Sequence, residues 1–137
     1  DNQSSSNLMF ALAYTSAFSD NSNTTSPYFN YAYDKNGATV EKNQTAWASM
    51  EAGFGDLENR VSLNVNNFNT INKLVLDVGK SENYPWILDG TRYFSDVLTE
   101  HNISHELREH NGDHMNQLNS RFVTHLLPFF AKAFAGE

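Results

Sequence analysis

Glu82 and His114 are the two residues of this chain whose types and positions best fit acid–base chemistry. Each follows an apolar run typical of a strand: Leu74–Val78 (LVLDV) precedes Glu82, and Ile103–Glu109 (ISHELRE) precedes His114. A neutral imidazole can take the proton of a serine hydroxyl and return it to a leaving group. A carboxylate on the other ring nitrogen fixes the tautomer and stabilises the imidazolium. The pair is therefore a candidate for the acid and the base of a hydrolase triad.

Two amphipathic helices complete the elements that must position this pair. The sequence predicts one helix over Trp86–Glu100 and a second over Gln117–Phe134, which Pro128 should kink or split. The order strand, helix, strand, helix predicts a right-handed parallel crossover. Loops that leave the carboxyl ends of neighbouring parallel strands share one edge of the sheet. Glu82 and His114 are therefore expected on the same rim.

The first half of the chain carries weaker patterns. Leu8–Ala13 (LMFALA) is a short apolar run, compatible with a buried strand or with part of a buried helix, and we predict a strand there. Asn21–Asn43 has the composition of a loop, and Thr45–Gly53 is predicted to form a short helix. Leu57–Val65 alternates weakly, which indicates a strand or irregular backbone.

Aromatic residues are concentrated in the segment from Tyr28 to Tyr33, close to Trp47. Two interpretations are open. The rings either form a satellite cluster packed against the core or line the pocket that receives a substrate.

Composition narrows the possible functions. The 137 residues include 39% hydrophobic and 18% charged residues, which is typical of one globular domain. The net charge of −7 argues against nucleic acid and anionic membrane surfaces as partners, and no apolar run is long enough to span a membrane. The chain has no cysteine, which excludes a thiolate zinc site and a cysteine nucleophile but does not fix the compartment.

A metal site is the rival interpretation of the histidine-rich stretch TEHNISHELREHNGDH. Histidine and carboxylate side chains are good zinc ligands. Ligand pairs spaced by four residues, however, need a continuous helix, and Asn102 and Gly112 interrupt this run. The stretch contains four histidines, namely His101, His105, His110 and His114.

Three other carboxylates compete with Glu82 for the role of acid. Asp77 lies inside the predicted strand and is expected to be structural. Asp89 falls within the predicted helix, and Asp113 is expected to stabilise the loop beside His114.

The stretch from Lys73 to Phe134 resembles the C-terminal part of the esterase-D-like esterases of the α/β-hydrolase superfamily. Its segments LVLDVG, KSE, NYPW, ISHELREH and NGDHMNQLNSRF are similar to that family's strand, acid loop, helix, strand and histidine loop. LMFALAYTSAFSD is similar to the strand and loop after the family's nucleophile helix. The resemblance implies a doubly wound, mostly parallel sheet flanked by helices. It also implies hydrolysis of small carboxylic esters through an acyl-serine, without a cofactor, with His114 as base and Glu82 as acid.

The chain departs from the family in two ways. Many members have Asp where this chain has Glu82, and the G-x-S-x-G nucleophile motif and the oxyanion loop are absent. We therefore expect residues 1–137 to be the C-terminal portion of a single α/β-hydrolase domain, inactive alone, that associates with the missing half or with itself. The alternative is a non-catalytic binding or structural domain on a hydrolase scaffold.

Overall fold

The chain folds into two units, residues 1–56 and 57–137. The computed structural model describes the backbone of residues 2–136 and the side chains of residues 8–136. Both units contain helices, and each contains a sheet of two strands. The expected mixed α/β class is confirmed at this level. The described sheets are shorter than the multistranded parallel sheet of the prediction.

The first unit consists of a long helix, a hairpin and a shorter helix. Asn43 begins the second helix, because its side-chain oxygen accepts a hydrogen bond from the backbone N–H of Ala46 at 3.0 Å. The predicted helix over Thr45–Gly53 is therefore confirmed. The elements are α1 (Asn2–Phe18), β1 (Tyr33–Asn36), β2 (Thr39–Lys42) and α2 (Gln44–Phe54).

The strand predicted at Leu8–Ala13 is wrong, because this run lies within α1. Leucine, methionine and alanine favour helices, and the run contains none of the β-branched residues that favour strands. On the same helix, the rings of Tyr14 and Phe18 pack against Phe54 of α2, with ring centroids 4.9 and 5.1 Å apart. Aromatic packing against α2 thus helps to hold α1 as a helix.

The aromatic segment of the first unit packs locally. Phe29 contacts Tyr31 edge-on at 5.1 Å, and Tyr33 contacts Trp47 in the same way at 6.0 Å. The indole N–H of Trp47 donates to the carbonyl of Ala32 at 3.0 Å. The interpretation as a satellite cluster fits these contacts, although Tyr31 and Tyr33 remain half exposed. That the segment lines a substrate pocket stays a prediction.

The second unit contains the strand–helix–strand–helix order that the sequence predicts. β3 and β4 are parallel neighbours, with Val75 opposite Glu106 and Gly79 opposite His110. Residues 57–65, expected as a strand or irregular backbone, instead form a helix. The elements are α3 (Leu57–Phe68), β3 (Val75–Gly79), α4 (Pro85–Glu100), β4 (Glu106–His110), α5 (Leu118–Arg121), a π-helical segment (Phe122–Leu126) and α6 (Leu127–Ala135).

The core of the second unit lies between α3, α4 and one face of the sheet. Val61 of α3, Val97 and Leu98 of α4 and Ile103 form its fully buried centre. Ile103, predicted as the first residue of a strand, instead lies in the turn before β4. The turn forms because Asn102 has a φ of 56°, which lets the N–H of Ile103 bond the carbonyl of Leu98 at 2.9 Å.

The C-terminal helical stretch is divided as the sequence predicts. Proline lacks the N–H that a helix interior needs. Just before Pro128 the helix widens, and the N–H of Leu127 bonds the carbonyl of Phe122, five residues earlier. Five apolar side chains that are spaced four residues apart in this stretch are 43–86% exposed; they are Leu118, Phe122, Leu126, Phe130 and Phe134, here called the apolar stripe. None of the helices in the described chain is long and apolar enough to cross a bilayer.

We predict that Leu98→Ala lowers the free energy of unfolding by about 2–5 kcal/mol, because it leaves a cavity around a side chain that is 0% exposed. Urea denaturation followed by circular dichroism measures the loss. The matched control is Leu63→Ala on α3, where the leucine is 75% exposed and the expected change is below about 0.5 kcal/mol. Equal losses in the two variants would contradict this assignment of the core.

Candidate functional site

The loops that follow β3 and β4 run side by side. The strands end opposite each other at Gly79 and His110, and the hydrogen-bond ladder continues past them. The N–H of Lys80 donates to the carbonyl of His110 at 2.8 Å, and the N–H of Ser81 donates to the carbonyl of Gly112 at 3.0 Å. The backbone itself therefore brings the residues after these bonds together.

Two glycines make this approach possible. A Cβ on Gly79 would lie 2.9 Å from the carbonyl carbon of Gly112 and closer still to its oxygen. A Cβ on Gly112 would lie 2.7 Å from Nδ1 of His110 and 2.8 Å from Oδ1 of Asn116. The φ of Gly112 is not positive. Glycine is needed there because space is lacking, rather than because the chain turns sharply.

Glu82 and His114 meet directly at this edge of the sheet. Oε2 of Glu82 lies 3.0 Å from Nδ1 of His114, which is hydrogen-bond distance. The Glu82 side chain is 3% exposed, whereas that of His114 is 50% exposed. The structure thus joins the two residues that the sequence selects, although they are 32 positions apart.

The two ring nitrogens of His114 have different roles. Nδ1 of His114 donates to the carboxylate, so Nε2 of the neutral ring is a proton acceptor. No group in the described part of the chain bonds that nitrogen, and half of the side chain faces solvent. If His114 accepts a proton, the adjacent Glu82 carboxylate stabilises the resulting positive charge.

A tight turn fixes the backbone around His114. Oδ1 of Asp113 accepts from the N–H groups of Met115 and Asn116, both at 2.8 Å, and Oδ1 of Asn116 accepts from the N–H of Asp113 at 3.0 Å. The hydrogen bonds from Met115 and Asn116 hold the pKa of Asp113 below its usual value. The predicted loop-stabilising role of Asp113 is confirmed.

Asp77 is engaged elsewhere. Nε of Arg121 donates to Oδ1 of Asp77 at 2.7 Å, and Nη2 of Arg121 donates to Oδ2. Nε2 of His110 lies 3.5 Å from the same carboxylate. Burial alone would raise the pKa of Asp77, but hydrogen bonds from Arg121 and the nearby positive charges hold it below its usual value. Asp77 therefore has the structural role that the sequence predicts.

Arg121 is the residue of this region that sequence reasoning missed. It ties α5 to β3 through Asp77, 44 residues earlier. The signal was the aspartate within the apolar run LVLDV, since a carboxylate in a buried strand requires a cation or several donors. The sequence does not indicate which of the nine Lys and Arg residues supplies the charge.

A cavity of about 320 Å³ adjoins the Glu82–His114 pair. This volume suits a small ligand. Its walls also include five apolar residues, Val78, Ile87, Leu118, Phe122 and Leu126. A larger cleft of about 500 Å³ lies at the opposite ends of β3 and β4 and is lined by neither Glu82 nor His114. The chemistry therefore assigns the candidate site to the smaller cavity.

The histidines of the rival metal interpretation have separate surroundings. His105 bonds Ser95 at 2.7 Å, and His110 lies against Asp77, whereas His114 contacts Glu82. Within the described residues, no three His, Asp or Glu side chains are grouped so that they could hold a metal ion.

The fold and the site define a mixed α/β unit with a histidine–carboxylate pair at the carboxyl ends of two parallel strands. No family model matches the sequence, and no curated protein is significantly similar to it.

We predict that the free energy of unfolding falls as the pH drops below about 4, the ordinary pKa of aspartate. The folded pKa of Asp77 is lowered, so its stabilising contribution is present above that pH and is lost on acidification through the folded pKa. Asp77→Asn should make the decline shallower, as measured by urea denaturation at a series of pH values.

Arg121→Met provides a second test of the same ion pair. It leaves the Asp77 carboxylate half-buried without its main cation, so burial should raise the pKa of Asp77. Acidification should then relieve the penalty, and the variant should lose less stability than the wild type as the pH falls. A decline as steep as that of the wild type in both variants would show that the ion pair does not set the acid stability.

Proposed function

We propose that this chain is the C-terminal portion of an α/β-hydrolase that cleaves carboxylic esters through an acyl-serine intermediate. His114 acts as the general base and Glu82 as its acid partner. The observation that carries the proposal is the 3.0 Å contact between a buried carboxylate and a half-exposed imidazole whose other nitrogen has no hydrogen-bond partner among the described residues. The position of both residues past the carboxyl ends of parallel strands also supports it.

The chemistry proceeds from that geometry. Nε2 of His114 removes the proton of a serine hydroxyl as the serine oxygen attacks the ester carbonyl carbon. Glu82 stabilises the imidazolium, which then gives its proton to the departing alkoxide oxygen. Water repeats the sequence on the acyl-serine and releases the carboxylic acid. These steps require no cofactor.

The nucleophile and the oxyanion donors belong to polypeptide outside these 137 residues, since no serine here lies in a G-x-S-x-G context. Two features support the docking of such a segment beside the site. Leu118, Phe122 and Leu126 belong both to the exposed apolar stripe and to the wall of the cavity. Among the described strands, β3 pairs only with β4, which leaves its other edge available.

Among the side chains that the structure describes, one serine–histidine hydrogen bond is present, between Oγ of Ser95 and Nε2 of His105 at 2.7 Å. Nδ1 of His105 lies 2.9 Å from the carbonyl of Ile103, so the ring is held at both nitrogens. Ser95 is buried within α4, where an ester cannot reach it. This contact joins the helix to the segment before β4, and Ser95 serves as an internal control for serine labelling.

We predict that the gene encodes a G-x-S-x-G motif upstream of the codon for Asp1. The order nucleophile, acid, histidine is that of α/β-hydrolases, so the serine must precede Glu82. Sequencing the complete transcript tests this, and its absence would remove the serine mechanism and favour a non-catalytic domain.

In the complete protein, we predict that His114→Ala lowers kcat for a 4-nitrophenyl ester by about 10,000-fold, because the general base is lost. Glu82→Gln should lower it by about 100- to 10,000-fold, because an amide can hold the wrong tautomer and does not stabilise the imidazolium. Steady-state kinetics measure both effects, and circular dichroism verifies folding.

The matched controls are His101→Ala, which replaces the histidine at the end of α4, and Ser95→Ala. Both should retain wild-type turnover and wild-type labelling by a fluorophosphonate. Wild-type turnover in His114→Ala would refute the triad, and loss of the label in Ser95→Ala would move the nucleophile to that serine. A complete protein that takes up no label would favour the binding-domain alternative.

A further inference from the structure

We propose that the second unit carries an additional binding site for a small organic anion, a carboxylate or phosphate group attached to a small apolar group. The site is the cleft of about 500 Å³ at the amino-terminal ends of β3 and β4. It lies at the opposite end of the strands from Glu82 and His114. The proposal is independent of ester hydrolysis.

The charge of the cleft is opposite to that of the chain. The whole sequence has nine Lys and Arg against 16 Asp and Glu. Three of those nine basic residues line the cleft, but only one of the 16 acidic residues does. The lining residues with basic side chains are Lys73, Arg108, Lys132, His105 and His125. A concentration of positive charge on an acidic protein draws anions to that place.

The one carboxylate in the cleft is already engaged. Both oxygens of Glu106 bond Arg108, at 2.7 and 2.6 Å. This ion pair lowers the pKa of Glu106, so the pair remains ionised near neutral pH. Lys132 therefore adds a positive charge to the lining that its one carboxylate does not balance.

The remaining lining fits an anion that carries an apolar group. Ser104 and Asn72 offer hydrogen-bond donors, while Leu74, Pro128 and Phe129 supply apolar surface. On one side of the cleft, the ring of His105 is held in position, because both of its nitrogens are hydrogen-bonded. A substituted benzoate or a phenyl phosphate is small enough to fit within the cleft.

Titration of the purified chain at constant pH tests the site. The probes are inorganic phosphate, phenyl phosphate and benzoate, with benzyl alcohol as the neutral probe, and the readout is the imidazole proton resonances of His105 and His125. We expect saturable shifts with phenyl phosphate or benzoate and weaker binding at high salt. Tighter binding of phenyl phosphate would assign the site to phosphate monoesters, and tighter binding of benzoate to carboxylates.

Lys132→Met should raise the dissociation constant by about three- to tenfold, the effect of removing one partly screened charge. Lys35→Met is the matched control, because this exposed lysine lies on β1 in the first unit, and its dissociation constant should equal that of the wild type. Three results would each overturn the proposal: no saturable shift with any anion, equal affinity in Lys132→Met and the wild type, or equally tight binding of benzyl alcohol.

Discussion

The hydrogen bonds that extend the β3–β4 ladder past its strand ends are the constraint on which the candidate site depends. Ser81 reaches the carbonyl of Gly112, and the next residue along the first loop is Glu82. Backbone hydrogen bonds are obligatory and directional, so they fix the separation of the two loops more firmly than exposed side chains could. The absence of side chains at Gly79 and Gly112 lets the loops close to that distance. The contact between Glu82 and His114 follows from this backbone geometry.

Two carboxylates near the site have different roles because their neighbours differ. Arg121 occupies both oxygens of Asp77, and His110 lies against the same group, so Asp77 joins the C-terminal helix to the sheet. One oxygen of Glu82 faces His114, and the other is buried without a hydrogen-bond partner among the described residues. His114 is therefore the one hydrogen-bond partner of the Glu82 carboxylate among the described residues. If His114 takes up a proton, the Glu82 carboxylate would therefore stabilise the resulting positive charge.

The second half of the chain could be predicted from sequence because its patterns are unambiguous. LVLDV reads as a covered strand, and Pro85 marks the start of α4. In the first half, the helix over Thr45–Gly53 could be predicted, but the structure of LMFALA could not, since this run satisfies the apolar pattern of a strand while its residues prefer helices. α3 was missed because its many asparagines weaken the pattern, although Val61, Val65 and Phe68 have helical spacing. The partner of Asp77 depends on tertiary structure that local spacing does not encode.

The C-terminal helical stretch links the stability of the second unit to the chemistry of its site. Its apolar stripe is largely exposed, and the ion pair of Arg121 with Asp77 ties the beginning of the stretch to the sheet. The same stretch supplies the cavity wall next to His114 through Leu118 and Phe122. A polypeptide that covers the stripe would bury these side chains and fix the wall in one step. Such docking would strengthen the electrostatic contact between Glu82 and His114, because water would be excluded from the exposed side of the ring.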